Sequence, residues 1–145
     1  MCVDEAKTIG KMITVSTEIH SPLREVWTAY TEPSHIVQWN AASEDWHTTE
    51  AKTDLREGGR FSYRMEARDG SEGFDFEGVF TTILEGQLLE YEFGGRVARV
   101  TFSDLEDSSR VVVEFEPEST NSADLQRAGW QAILDNFKKY LETSA

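Results

Sequence analysis

The sequence predicts an α+β fold: a curved antiparallel sheet of about seven strands wrapped round a long C-terminal helix, with two short helices after the first strand. Three observations carry the prediction. Apolar periodicity runs in the order strand, two short helices, six strands, one long helix. The registers of consecutive hairpins agree in parity, so one face collects the large apolar side chains. The last helix is apolar over far more of its circumference than the ~100° stripe of a helix on a flat surface. The chain has 145 residues, and against a prior of ~150 per domain, residues 1–145 are expected to form a single domain with 1–11 as a flexible N-terminal segment.

The elements follow from local pattern. Ile13, Val15, Thr17 and Ile19 alternate with Thr14, Ser16 and Glu18, the period of a half-buried strand. Ser21-Pro22 reads as a cap residue followed by proline at the first helical position. Leu23, Val26, Trp27 and Tyr30 continue at helical spacing until Glu32-Pro33-Ser34 ends the helix. Residues 35–39 read as one further turn, and 40–45 as a loop. Alternating segments follow at 46–55, 60–66, 74–83, 88–93, 96–102 and 110–116. Gly58-Gly59, Asp69-Gly70, Glu85-Gly86, Gly94-Gly95 and the stretch 104–109 separate them, as hairpin turns separate the strands of a meander. A helical period then holds from Ser122 to Leu141, with Ser122 or Asn121 as cap.

A turn over 69–71 sets Phe61 against Phe80, Tyr63 against Gly78 and Met65 against Phe76. The next turns set Phe80 against Tyr91 and Thr82 against Leu89, then Tyr91 against Ala98 and Leu89 against Val100. The last sets Phe102 against Val111, Val100 against Val113 and Ala98 against Phe115. One face then holds Phe61, Tyr63, Met65, Phe76, Phe80, Leu89, Tyr91, Phe93, Val100, Phe102, Val111, Val113 and Phe115. The other holds Arg64, Glu66, Asp75, Glu77, Glu90, Glu92, Arg99 and Glu114, a solvated face. On the long helix Leu125, Gly129, Trp130, Ile133, Leu134, Phe137, Tyr140 and Leu141 form the wide stripe. Arg127, Gln131, Asp135, Lys138 and Glu142 fill the remaining arc. A stripe that wide calls for a sheet curved round the helix, with Gly129 admitting a close backbone neighbour.

Charge excludes several functions. Fourteen Lys and Arg oppose 27 Asp and Glu, a net charge of −13. That balance repels nucleic acid and anionic membrane surfaces alike. No apolar run is long enough for membrane insertion, and the polar first ten residues lack the pattern of a secretory signal. The single cysteine, Cys2, precludes an intramolecular disulfide and agrees with a cytoplasmic location.

Four strings carry a family likeness: SPLREVWTAYTEPSHIVQW (21–39), DLREGGRFSYRM (54–65), FEGVF (76–80) and GWQAILDNFKKYLE (129–142). With the strand order they cover nearly the whole chain, and it resembles the START-like helix-grip superfamily, in particular the domains homologous to the activator of heat-shock-protein-90 ATPase. The resemblance implies a seven-stranded sheet gripping the long helix around an internal cavity, and hydrophobic or lipid-like ligands in many members. It also implies two alternatives: a stress-response, co-chaperone-like domain that stimulates a heat-shock ATPase, and a cyclase or aromatase. Chaperone activators of that type carry a second, N-terminal domain, which ranks the chaperone partner second here. A shared fold does not fix one chemistry.

The expected function is therefore binding of a hydrophobic or amphipathic small molecule between sheet and helix. The expected lining is Trp39, Trp46, Phe61, Tyr63, Met65, Phe76, Phe80, Tyr91, Phe93, Val100, Phe102, Trp130, Ile133 and Phe137. Phe80, Phe102 and Phe115 read first as core filling, whereas Tyr63, Tyr91 and Trp130 read equally as cavity wall, because buried phenol and indole need polar partners. His20, His35 and His47 lack metal-ligand spacing, so no metal and no cofactor is expected; His35 and His47 come nearest to each other in this reading. Glu66 faces Asp75 on the solvated side, where a carboxylate pair lacks the burial that would separate its pKa values. No residue is assigned a catalytic role, and oligomeric state stays open.

Overall fold

The computed structural model describes residues 12–143; the flexible segment expected at 1–11 and Cys2 lie outside them. Strand β1 (Ile13–Ile19) leads into helix α1 (Leu23–Thr31) and helix α2 (Pro33–Trp39). Strands β2 (Trp46–Thr53), β3 (Arg60–Ala67), β4 (Gly73–Leu84), β5 (Leu88–Phe93), β6 (Arg96–Asp104) and β7 (Ser109–Phe115) follow, then helix α3 (Ala123–Thr143). All seven strands join one antiparallel sheet in the order β1-β7-β6-β5-β4-β3-β2, a curved half-barrel closed round α3 as the sequence predicts. The two short helices carry the chain from one sheet edge to the other.

Local chemistry explains the boundaries. Pro22, not Ser21, holds the cap position of α1, with extended backbone and no side-chain cap bond; the Ser21 carbonyl instead accepts from the Ser109 hydroxyl at 2.8 Å. The Ser122 hydroxyl accepts from the Leu125 N–H at 3.1 Å and caps α3. Along β1, the outer edge that would otherwise present free backbone groups is covered by α3. Gln131 bonds both the N–H and carbonyl of Ser16, Lys138 donates to the Glu18 carbonyl at 2.8 Å, and Glu142 accepts from the His20 N–H at 2.9 Å. Gln131, Lys138 and Glu142 of the polar arc thus cover this edge, while Arg127 and Asp135 of the same arc stay exposed.

The registers of β5–β6 and β6–β7 match the expected pairs throughout. Two others differ. β3 and β4 pair Phe61 with Gly78, Tyr63 with Phe76 and Met65 with Phe74, two residues from the expected register. The cause is the turn: Gly70, at φ 77°, bonds back to Ala67, and Ser71 bonds to the Asp69 carboxylate, so a four-residue loop closes on Ala67 and Glu72. Parity survives, and so does the face. Arg64, not Glu66, then lies opposite Asp75, which replaces the expected carboxylate pair with an ion pair of 3.6 Å. Between β4 and β5 a bulge follows Phe80, so Thr82 pairs with Glu90 and Ile83 with Leu89. The extra residue flips Ile83 inward and Thr82 outward.

The core joins Ile13, Val15, Ile19, Val26, Ile36, Ala98, Val100, Val111, Val113, Phe115, Leu134 and Phe137, all at most 3% exposed. Leu125, assigned to the gripped stripe, is 59% exposed, whereas the next residue, Gln126, is buried, so the gripped face at the start of α3 is rotated by one residue from the expected stripe. A Cβ at Gly129 would meet nothing within 4 Å, so no backbone crosses there. The close approach occurs at Gly78, where a Cβ would stand 2.5 Å from the Phe61 ring.

Candidate functional site

A cavity of about 270 Å³ lies between the inner face of the sheet and α3, at the lower edge of the ~300–1,000 Å³ of small-molecule sites. Its wall is built by alternation along β3, β4 and β5, which brings Phe61, Tyr63, Met65, Phe76, Phe80, Leu89 and Tyr91 to one side, while α3 supplies Trp130, Ile133 and Leu134. Tyr30 and Thr31 from α1 and Trp39 and Asn40 from α2 close one end; Leu55 and Phe74, both exposed, bring it to the surface. Rings support one another round the wall: Phe61 is 5.1 Å from Phe80 and 5.0 Å from Tyr91, and Trp130 stacks on Phe115 at 3.9 Å.

Of the expected lining, Trp39, Phe61, Tyr63, Met65, Phe76, Phe80, Tyr91, Trp130 and Ile133 stand on this wall. Phe93, Val100, Phe102 and Phe137 lie in the packed core behind it, each at most 4% exposed. Trp46 stands in a separate, open cleft between the 40–45 loop and α3, together with His47, Arg68, Asp135, Asn136 and Lys139. Trp39 is held in place from both ends: its indole N–H donates to the Ala29 carbonyl at 2.9 Å, and its carbonyl accepts from Asn136 at 2.7 Å.

The polar groups of the cavity are few and unusual. The hydroxyls of Tyr30, Tyr63 and Tyr91 make no hydrogen bond to another described residue. Burial pushes all three phenols above their ordinary range; the Tyr30 phenol adds to the effect on Tyr63 and Tyr91, so the three act on one another across the cavity. The Thr53 hydroxyl is buried with no partner among the described residues. Unsatisfied buried groups are uncommon in folded proteins and each calls for an explanation, such as a bound molecule or water.

Sequence reasoning missed Arg96. It lines the cavity, and the signal was available: Arg96 shares the parity of Ala98, Val100 and Phe102 on β6, so it belongs to the apolar face. Tyr30, Asn40 and Thr53 were also missed, because they reach the cavity from α1, from the end of α2 and from the edge strand β2, whose placement no hairpin parity fixes.

The histidines do not converge. His35 Nδ1 shares a 2.7 Å hydrogen bond with the Tyr140 hydroxyl, whereas His47 Nδ1 lies 3.5 Å from an Arg68 nitrogen. Among the described residues no group of three or more His, Cys, Asp or Glu is placed to hold a metal ion. No helix among them is long and apolar enough to cross a membrane.

A model of the family described as Activator of Hsp90 ATPase homolog 1-like protein matches residues 20–142. Among solved structures, the AHSA1-like protein of Aeromonas hydrophila is 42% identical, with a TM-score of 0.84 over 91% of this chain and 94% of that one. A solution structure from Cytophaga hutchinsonii is 43% identical, with a TM-score of 0.80 over 93% and 94% of the two chains. DynU16, from the dynemicin biosynthetic locus, shares the fold at 20% identity and a TM-score of 0.71, over 92% of this chain and 48% of its own. A comparison with curated proteins finds no match.

Proposed function

This chain belongs to the Activator of Hsp90 ATPase homolog 1-like family, and from that premise we propose that it reversibly binds a compact hydrophobic or amphipathic small molecule in the cavity between sheet and α3, in the cytoplasm. One observation carries the reading: three tyrosines whose hydroxyls have no hydrogen-bond partner among the described residues line an aromatic-walled space. Core tyrosines that only fill space satisfy their hydroxyls; these are arranged as donors to something not part of the chain. The apolar wall supplies the driving force for binding, and the hydroxyls supply orientation. A cyclase reading would need a proton-transfer group in the cavity. Tyr63, Tyr91 and Arg96 are groups of that kind and line it, so a cyclase or aromatase stays as the second alternative; the His35–Tyr140 pair lies outside the cavity lining.

The test is a tryptophan-fluorescence screen of the purified protein against fatty acids, sterols, flavonoids and polyketide-like aromatics, backed by native mass spectrometry. Trp130 and Trp39 line the cavity and should respond; a Trp130→Phe variant should lose most of the change. Silence from every class in both measurements would remove the reading and leave the co-chaperone-like alternative.

A further inference from the structure

We infer that the molecule bound in this cavity carries an anionic oxygen group, such as a carboxylate, and that Arg96 holds that group at the β5–β6 end of the site. The inference rests on the binding reading above and adds the chemical class of the ligand.

On β6, Ala98 and Val100 are 0% exposed and Phe102 4%; Arg96, of the same parity, is a half-buried cation on the apolar face. Withdrawing a charge from water is unfavourable unless a counter-charge meets it. The contacts of Arg96 are the Glu116 carbonyl, to which Nη1 donates at 3.0 Å, and the face of Phe93, whose centroid is 4.3 Å from the guanidinium carbon. Both aim the side chain, and neither carries a negative charge. No carboxylate of the described residues lies within ion-pair distance of it.

Composition does not explain the missing partner. The chain has 27 acidic residues, and on the outer surface Arg64 pairs with two of them and Arg99 and Arg110 with one each. Even Glu116, beside Arg96, turns its carboxylate to the Val97 N–H at 2.7 Å instead. Tyr91 lines the same cavity as Arg96, and its hydroxyl has no partner among the described residues. Burial and the Tyr30 and Tyr63 phenols oppose ionisation of Tyr91, and the Arg96 charge is the one influence that favours it. A guanidinium and a phenol donating into one space fit an oxyanion, and charge-assisted bonds of this kind are about twice as strong as neutral ones. The remaining wall is aromatic and aliphatic, so the ligand is an apolar body with one acidic end. The net charge of −13 repels anions at long range; a preference for an acid must therefore be local.

The experiment compares matched acids and amides on the intact protein by titration calorimetry near neutral pH: 2-naphthoate with 2-naphthamide for a flat body, octanoate with octanamide for an acyl body. At least one acid should bind about tenfold more tightly than its amide or better, the size expected for a hydrogen bond to a charged group. Arg96→Met should abolish that preference, and Arg96→Lys should retain part of it. If Arg96→Met does not fold, the acid–amide comparison on the native chain and the Lys variant still decide. Equal affinity for acid and amide, or a preference that survives Arg96→Met, overturns the assignment while cavity binding stands. Binding by none of the four probes overturns this proposal, whereas the cavity reading falls only if the wider screen above is silent as well.

Discussion

Replacing Gly78 by alanine probes the sheet under the cavity most sharply. A Cβ there would stand 2.5 Å from Cζ of Phe61 and 2.6 Å from the Glu92 carbonyl oxygen, where carbon contacts are comfortable at ~3.5–4.0 Å. Phe61 is 3% exposed and wedged between Phe80 and Tyr91, so its ring cannot swing aside. The Glu92 carbonyl belongs to the backbone of β5. Overpacking of this kind costs about 1–3 kcal/mol, and stiffening the unfolded chain returns ~0.4–1 kcal/mol. The net loss should be about 1–2 kcal/mol, which at a urea slope of ~2 kcal/mol/M lowers the unfolding midpoint by about 0.5–1 M. Phe61→Leu should relieve part of the clash, so the double variant should be more stable than the two single losses imply by ~0.5–1 kcal/mol. Val26→Ala should add independently, because Val26 is buried on α1, outside the cavity wall that holds Phe61. An unchanged midpoint for Gly78→Ala, or no coupling to Phe61, would refute the register.

Other perturbations separate core from cavity. Phe137→Ala should lower stability by about 3–5 kcal/mol in urea, since Phe137 is fully buried between Tyr30 and Trp39. Tyr63→Phe and Tyr91→Phe should change stability by less than ~1 kcal/mol, because no protein bond is lost, yet alter ligand affinity; the opposite pattern would make them ordinary core tyrosines. Burial raises the Tyr30, Tyr63 and Tyr91 phenols in the folded protein, so above pH ~10 the unfolded chain gives up protons first. Stability should be intact below that range and fall as pH rises through it. Urea midpoints across the alkaline range check this, with phenolate absorbance of these residues appearing together with unfolding and not before it. Ending the chain before Ala123 should abolish cooperative unfolding, as Leu134 and Phe137 would leave the core; a cooperative melt of the truncated chain would contradict the architecture.

How much of this was legible depended on the turns. Gly94 and Gly95 both have positive φ, 54° and 80°, the conformation of a two-residue hairpin that fixes register, and the pairs of β5–β6 came out as read. At Asp69-Gly70 the hydrogen bonds of the loop, not its residue types, decide which residues close it, so the register moved by two and only the face was right. The bulge after Phe80 leaves no trace in the text Thr81-Thr82-Ile83, where either threonine suits an outward position. Half of the cavity was readable for the same reason as the face: Phe61, Tyr63, Met65, Phe76, Phe80 and Tyr91 follow from parity. What separates cavity wall from filled core, Trp130 from Phe137 for example, is the depth to which each side of α3 enters the sheet, and periodicity carries no such information. Arg96 was missed because a search of the inner face for apolar residues passes over a charge on it.

The central claim is that the space between sheet and α3 is a binding site. Methyl NMR of the protein titrated with 2-naphthoate tests it most directly. The account predicts shifts at Met65, Leu89, Val113, Ile133 and Leu134, which line the cavity, with Ile19 and Val26, buried in the core away from it, nearly unmoved. Shifts confined to Val37, Ala42 and Ala132 of the open cleft, or none at all, would contradict it.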